Sequence, residues 1–246
     1  MSAASSPGTR TPAAAEGPSA TEGSVAAVTR QLRTWIVNGS LLPGVQLRQD
    51  EIAEQLNVSR LPVREALQIL TERQLLEHRR HRGYFVANRA KDEIDQLNRM
   101  LDLLEPELIQ SARWLEPDEL DYLKSLNAQL EDLVDSDDVA SFIDVNRLFH
   151  FTIFSYSPMK VILGEVERLW TLIDANTARS LASPAEKRRT VKEHSTMISA
   201  LERRSRTALL RISETHRTET YISGRNPATT VSPGSVAYRS PGKKRP

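Results

Sequence analysis

The sequence predicts a mainly α-helical protein with an N-terminal winged helix-turn-helix, including a small β-hairpin wing, and a C-terminal all-α bundle of about six helices. Three observations lead to this prediction. Apolar residues recur at helical spacing from Val25 onward, a strand-like pattern occurs only over residues 75–86, and every segment from Lys91 has a helical period. The length of 246 residues also suits two modest domains.

Composition separates these domains from both ends of the chain. Residues 1–24 are nearly all Ala, Ser, Thr, Pro and Gly, and residues 224–246 contain four prolines and few large apolar groups. Such segments bury too little apolar surface to offset the entropy lost on ordering. We therefore predict a disordered tail at 1–24, domains over 25–90 and 91–223, and a disordered basic tail at 224–246.

The first domain begins with three helices. The apolar stripe of the first helix consists of Val25, Val28, Leu32 and Ile36. The second helix runs from about Gln49 to Leu56, and Asn57 suits the left-handed position that ends it. Ser59 can cap the third helix, which tolerates Pro62 because the amides of a first helical turn lack intrahelical partners.

The third helix and the hairpin after it carry a basic surface. Arg60, Arg64 and Gln68 share one exposed face at i, i+4 and i+8. Arginine can bind guanine or phosphate in the major groove, and amide side chains can read adenine. Residues 75–86 form two short strands around a basic turn closed by Gly83. The helix alone could be a solvated face, but together with the basic hairpin it indicates DNA binding.

Charge is divided unevenly between the two domains. Residues 25–90 contain ten basic and six acidic residues, whereas residues 91–222 contain 17 basic and 24 acidic ones. Only the first domain is therefore expected to meet a polyanion. The chain has no cysteine, no apolar run of membrane-spanning length and no signal-peptide pattern, so we expect a cytoplasmic protein without a membrane partner.

The first domain also carries a family resemblance. The segments GSLLPGVQL (39–47) and EIAEQLNVSRLPVREAL (51–67) closely resemble the DNA-binding domain of GntR-family transcription regulators. The resemblance implies a recognition helix starting near Ser59 and a wing that contacts the minor groove. Gln74 departs from the family, which usually has glycine there; a left-handed Gln costs about 1 kcal/mol. The predicted DNA contacts are Arg48, Ser59, Arg60, Arg64, Gln68, His81, Arg82 and Gly83.

Three histidines of the second domain lie on apolar helix faces. Each belongs to a different helix and follows the apolar spacing of that helix: His150, His194 and His216. One such histidine is usually a hydrogen-bonded core residue, but three on separate helices indicate a shared site. Asn146 lies one turn before His150 and adds an oxygen, which gives a donor set suited to a divalent transition metal such as Zn, Ni or Mn.

The second domain resembles the fatty-acid-regulator-type (FCD) effector domain of GntR proteins. The resemblance rests on Leu104-Glu105-Pro106, on residues 146–150, on Glu193-His194 and on His216 after Ala208. It implies that Asn146, His150, His194 and His216 bind a metal and that a small carboxylate effector binds beside it. Leu101 stands where the family often has arginine. Arg168 is a weaker candidate for contacting the effector, because a solvated or salt-bridged arginine is the commoner reading.

These observations predict a DNA-binding homodimer that reads a palindromic operator under the control of a small carboxylate. One alternative is a dimerisation module in which the metal is only structural. A metal-dependent enzyme is less favoured, since the chain lacks a His-Glu-x-x-His pair and Glu193 points away from the direction of His194 along its helix. We therefore predict that the protein is not an enzyme.

Overall fold

A computed structural model of the chain describes residues 20–37, 39–181 and 183–225. It confirms the predicted architecture of a winged helix-turn-helix followed by a helical bundle. The N-terminal part contains α1 (Ala20–Val37), β1 (Gln46–Leu47), α2 (Gln49–Gln55), α3 (Arg60–Glu72), β2 (Leu76–Arg79) and β3 (Gly83–Val86). The C-terminal part contains α4 (Lys91–Ser111), α5 (Pro117–Asp132), α6 (Val139–Phe154), α7 (Lys160–Ser180), α8 (Pro184–Glu202) and α9 (Arg206–Arg225).

The winged helix is built around the inner faces of α1, α2 and α3. Leu32, Ile52 and Leu67, one from each helix, are completely buried in its core. Three antiparallel strands follow the order β1-β3-β2. The predicted hairpin corresponds to β2 and β3, but β1 was not predicted, because a strand of two residues is too short to show an alternating pattern.

Left-handed backbone occurs where the helices and the wing turn. Asn57 has φ 52° at the end of α2, as predicted. Gln74 has φ 58° after α3, so the departure from glycine does carry a conformational cost. In the wing, both His81 (φ 60°) and Gly83 (φ 86°) adopt this conformation.

Several boundaries differ from the sequence prediction. Helix α1 begins at Ala20, so residues 20–24 are helical although they were assigned to the tail, and α9 continues to Arg225. The remaining tail predictions lie outside the described residues. Ser59 is the N-cap residue of α3, but its side chain makes no capping hydrogen bond.

The described part of the C-terminal domain contains six helices, in agreement with the predicted number. Pro117 and Pro184 each stand in the first turn of a helix, and α4 continues through Pro106. The main core is formed by large apolar side chains from several helices, including Phe149 and Leu169, which are completely buried. This packing brings the inner faces of α6, α8 and α9 toward one another.

An ion-pair network joins the two domains. Arg33 on α1 donates from Nη2 to Asp174 on α7 at 2.7 Å and from Nη1 to Asp144 on α6 at 2.5 Å. Arg147 lies on the other side of Asp174 at 3.7 Å. The side chain of Asp174 is only 3% exposed, so this contact connects the DNA-binding domain to a buried position of the helical domain.

Candidate nucleic-acid interface and metal centre

The candidate recognition surface lies on α3. Arg60, Arg64 and Gln68 are exposed along this helix, whereas Val63 and Leu67 are completely buried. The predicted row of polar residues therefore faces solvent. A helix divided in this way can enter the major groove while its apolar side stays packed.

Two of the predicted DNA contacts form ion pairs with carboxylates of α2. Arg60 Nε lies 2.7 Å from Asp50, and Arg48 Nη1 lies 3.3 Å from Glu51. Both arginine side chains are largely exposed, so these pairs contribute little to stability and can exchange for phosphate or base contacts. The sequence interpretation did not include the two acidic partners.

The strand β1, which was not predicted, contacts the turn of the wing. The backbone N–H of Arg82 donates to the carbonyl of Arg79 at 2.9 Å, which closes the turn. The side-chain amide of Gln46 in β1 donates to the carbonyl of Arg82 at 2.6 Å. His81 and Arg82 are thereby held at an exposed tip, on the same domain as the recognition helix.

The three predicted histidines meet inside the C-terminal domain. His150 comes from α6, His194 from α8 and His216 from α9, and all three are buried. The distances between their ring centroids are 4.9, 5.0 and 5.1 Å. One nitrogen of each ring lies within 4.8 Å of the other two. Asn146 lies in the same wall, and its Oδ1 atom is buried without a hydrogen-bond partner.

One pair of donor atoms already has the spacing of two ligands on a single divalent ion. Nε2 of His150 lies 3.1 Å from Nε2 of His194. Two nitrogens bound to one ion at about 2.1 Å are roughly 3.0 Å apart at a right angle and roughly 3.4 Å apart at the tetrahedral angle. The unpartnered oxygen of Asn146 would supply a neutral fourth donor, so the residues present fit a nitrogen-rich transition-metal site.

Burial keeps two of these imidazoles in the form that binds metals. It lowers the pKa of both His150 and His194 well below 6.5, and the neighbouring His216 lowers each further. The ring of His194 also stacks on Phe149 with a centroid distance of 3.9 Å. Neutral, sterically fixed imidazoles need lose no proton to accept a cation.

Glu193 orients the third imidazole. Its Oε2 atom lies 2.6 Å from Nδ1 of His216, which leaves Nε2 of that ring available to a ligand. A carboxylate bound to the far nitrogen of a histidine is a common support for metal ligands. Sequence reasoning placed Glu193 away from His194 and gave it no role, because its partner lies on another helix.

A cavity of about 50 Å³ adjoins the histidines. One water molecule needs ~10–15 Å³, so the cavity has room for an ion and a ligand of a few heavy atoms. Thr190 and Thr220 line it with buried hydroxyl groups that have no hydrogen-bond partner in the described structure. These hydroxyls can donate to an acceptor bound there.

One wall of the cavity contains Arg217, which is paired with two carboxylates. Arg217 donates to Glu105 at 3.0 Å and to Asp102 at 2.6 Å, and its side chain is 12% exposed. Glu105 also accepts a hydrogen bond from Trp170 Nε1 at 2.7 Å. Arg217 was not among the residues predicted from the sequence, although it directly follows the candidate ligand His216.

Arg168 lies outside this cavity. It is exposed on α7 and pairs with Glu165, with Nη2 2.7 Å from Oε1. Trp170 and Ile173 line the cavity from the same helix, so Arg168 points in another direction. The structure therefore places Arg168 away from the histidine cavity, and its contact with an effector stays a prediction.

None of the helices in the described part of the chain is both long enough and apolar enough to cross a membrane.

Comparison with known families gives two matches. The family described as bacterial regulatory proteins of the gntR family matches residues 25–86, and the FCD domain matches residues 96–219. The first match ends with the wing, and the second contains all four candidate metal ligands.

Individual relatives agree with these matches. The transcriptional regulator McbR of Escherichia coli K12 is 30% identical over 177 residues, which cover 71% of this chain and 80% of that protein. The transcriptional repressor RspR of the same organism is 23% identical over 193 residues, which cover 78% of this chain and 85% of RspR. The solved structure of E. coli McbR/YncC superposes with a TM-score of 0.70 at 25% identity, over 82% of this chain and 96% of that one.

Proposed function

Because this chain belongs to the GntR family of bacterial transcription regulators and carries an FCD domain, we propose that a divalent metal and a small carboxylate bound beside the histidines control its DNA affinity. The observation that carries this proposal is the cluster of three buried imidazoles, two of which line a cavity together with the unpartnered amide oxygen of Asn146. DNA binding itself follows from family membership.

Different residues would bind the metal and the effector. His150, His194, His216 and Asn146 would hold the metal, which would supply a positive charge for a carboxylate. Thr190 and Thr220 would donate hydrogen bonds to the polar end of the effector. Because Asp102 and Glu105 already neutralise Arg217, the metal is the better partner for an anion.

Helix α7 provides a route from this cavity to the DNA-binding domain. Trp170, Ile173 and Asn176 line the cavity, and Asp174 on the same helix binds Arg33 of α1. A ligand that shifts α7 would therefore change how the first domain is held. Such a ligand must bind the two arrangements with different affinity for the control to work.

A metal titration of the Asn146→Asp variant tests the metal site. The variant adds negative charge at the ion with nearly the same shape, so we expect higher metal affinity and slower loss to a chelator. Asn127→Asp is a matched control, because Asn127 is also a buried amide with an unpartnered oxygen but lies on α5. Destabilisation of Asn146→Asp that added metal does not reverse would remove Asn146 from the site.

Operator binding tests the effector. The metal-loaded protein is titrated with a panel of small carboxylates while its affinity for a defined operator is followed by fluorescence anisotropy. At least one carboxylate should change that affinity in the wild type but not in His194→Ala. If none does, while metal removal abolishes dimerisation, the metal is structural only.

We also propose a homodimer, since one winged helix reads a half-site and a two-fold dimer reads a palindrome. Large apolar side chains are exposed on α4 and α7, with Leu103 57% and Val161 89% exposed. Light scattering should show a dimer for the wild type and a smaller species for Leu103→Glu. A monomeric wild type would overturn this part of the proposal.

A further inference from the structure

A second cavity of about 400 Å³ lies between the two domains. The end of α1 and the segments after α3 and β3 form one side, and α4 and α7 form the other. This volume lies within the roughly 300–1,000 Å³ typical of small-molecule sites. Much of the wall is apolar and includes Ile36, Leu41, Leu42, Val86, Leu172 and Ala175. We call this space the interdomain cleft.

Two arginines line the cleft, and none of its described lining residues is acidic. Arg179 on α7 donates to the side-chain oxygen of Asn176 at 2.9 Å. Arg89, which follows β3 in the other domain, donates to the backbone carbonyl of Gln74 at 2.6 Å. Each guanidinium has five N–H groups, so these single bonds leave donors unused on both sides of the cleft.

These two arginines, Arg179 at the exposed rim and the partly buried Arg89, differ from Arg33 and Arg217 in having no carboxylate of the described residues at ion-pair distance. Arg33 and Arg217 each bind two carboxylates. Burial lowers the pKa of Arg179, and no carboxylate opposes this shift. Burial also lowers the pKa of Arg89, although the more distant Glu93 and Glu77 oppose this shift. Among the described residues, the cleft therefore presents two guanidinium groups and no carboxylate.

The last turn of a helix favours a cation, and Arg179 occupies that turn of α7. This preference explains one arginine. It does not explain Arg89 from the facing domain or the apolar wall between them. The combination of an apolar body and a cationic rim matches an organic anion.

We propose that the interdomain cleft is a second ligand site, separate from the histidine cavity, for an organic anion with an apolar body such as a medium-chain carboxylate. The apolar chain lies against Leu172 and Ala175, and the carboxylate accepts hydrogen bonds from Arg179 and Arg89. Asn176 lines both cavities, so an anion that draws Arg179 away from Asn176 alters a wall of the histidine cavity.

Octanoate is the probe for this proposal. Calorimetric titration of the full-length, chelator-treated protein should show one saturable site for octanoate and no comparable binding of octan-1-ol. Arg179→Gln should weaken binding about tenfold or more, the scale of one hydrogen bond to a charged group. Arg179→Lys should recover part of the affinity, and Ala175→Phe should block the site by filling it. Arg188→Gln, an exposed arginine on α8, is the control and should bind normally.

A second variant separates this site from the histidine cavity. His150→Ala removes a proposed metal ligand, and it should leave octanoate binding unchanged. Octanoate binding that is lost in His150→Ala but kept in Arg179→Gln would overturn the cleft proposal and support the histidine cavity instead. Absence of saturable binding in the wild type, or equal affinity for octanoate and octan-1-ol, would also overturn it.

Discussion

Replacing Arg33 with methionine measures how strongly the buried ion pair joins the domains. Arg33 donates to Asp174 at 2.7 Å from Nη2 and at 3.2 Å from Nε. Methionine keeps an apolar stem of similar length but removes all of these donors. Asp174 would then have only Arg147, whose nearest nitrogen lies 3.7 Å away.

The size of the loss can be worked out from the fate of Asp174. An ionised buried carboxylate without its partner costs about 3–5 kcal/mol. The alternative is that the carboxyl group takes up a proton. At pH 7, which is 3.2 units above its ordinary pKa of 3.8, holding that proton costs about 4.4 kcal/mol at ~1.36 kcal/mol per unit. Because Arg147 remains nearby and reduces the first cost, we expect the free energy of unfolding to fall by about 2–4 kcal/mol at pH 7.

The pH dependence of the stability shows whether Asp174 is ionised or protonated in the variant. Burial already raises the pKa of Asp174, and loss of Arg33 raises it further. If the native variant holds a proton that the unfolded chain releases, its deficit relative to wild type shrinks by about 1.4 kcal/mol per unit as the pH falls toward 4.

Urea unfolding followed by tryptophan fluorescence and circular dichroism measures this deficit at pH 7 and pH 5. Asp144→Asn is the control: Asp144 is 52% exposed, so its loss should cost at most about 1 kcal/mol. Arg33→Met combined with Asp174→Leu should recover much of the stability. A deficit below about 1 kcal/mol at pH 7, or one that grows as the pH falls, would refute the reasoning.

Three further predictions concern separate parts of the molecule. Arg64→Ala should weaken binding to a defined operator by about 1–3 kcal/mol at fixed salt with an unchanged melting temperature, while Arg188→Ala should not, and anisotropy titrations compare them. Lys187 is 2% exposed and donates to the carbonyls of Leu133 and Ser136; Lys187→Met should cost about 1–3 kcal/mol in urea unfolding, and the exposed Lys192→Met almost nothing. The metal-free protein should lose stability as the pH falls below about 6.5, because the unfolded chain takes up protons that the buried His150 and His194 cannot; His194→Gln should flatten this slope, and a profile without any slope would contradict the burial argument.

Local patterns in the sequence were sufficient for the elements and for much of the candidate site. Proline restricts the backbone wherever it stands, and Pro117 and Pro184 lie in the first turns of α5 and α8. Helical periodicity also showed that the three histidines face inward, because that direction depends only on the helix to which each belongs. The two-residue strand β1 carried no comparable pattern and was missed.

What the sequence by itself determined is therefore the set of helices, the inward direction of the histidines, the exposed row on α3 and the family. Only the tertiary structure decided which residues face one another. The bond between Glu193 and His216, the pairing of Arg217 with Glu105 and the interdomain pair of Arg33 with Asp174 join positions 23, 112 and 141 residues apart. Periodicity gives the angle of a side chain about its own helix axis, but such contacts depend on the order, tilt and spacing of neighbouring helices, which are set by the packing of the whole core.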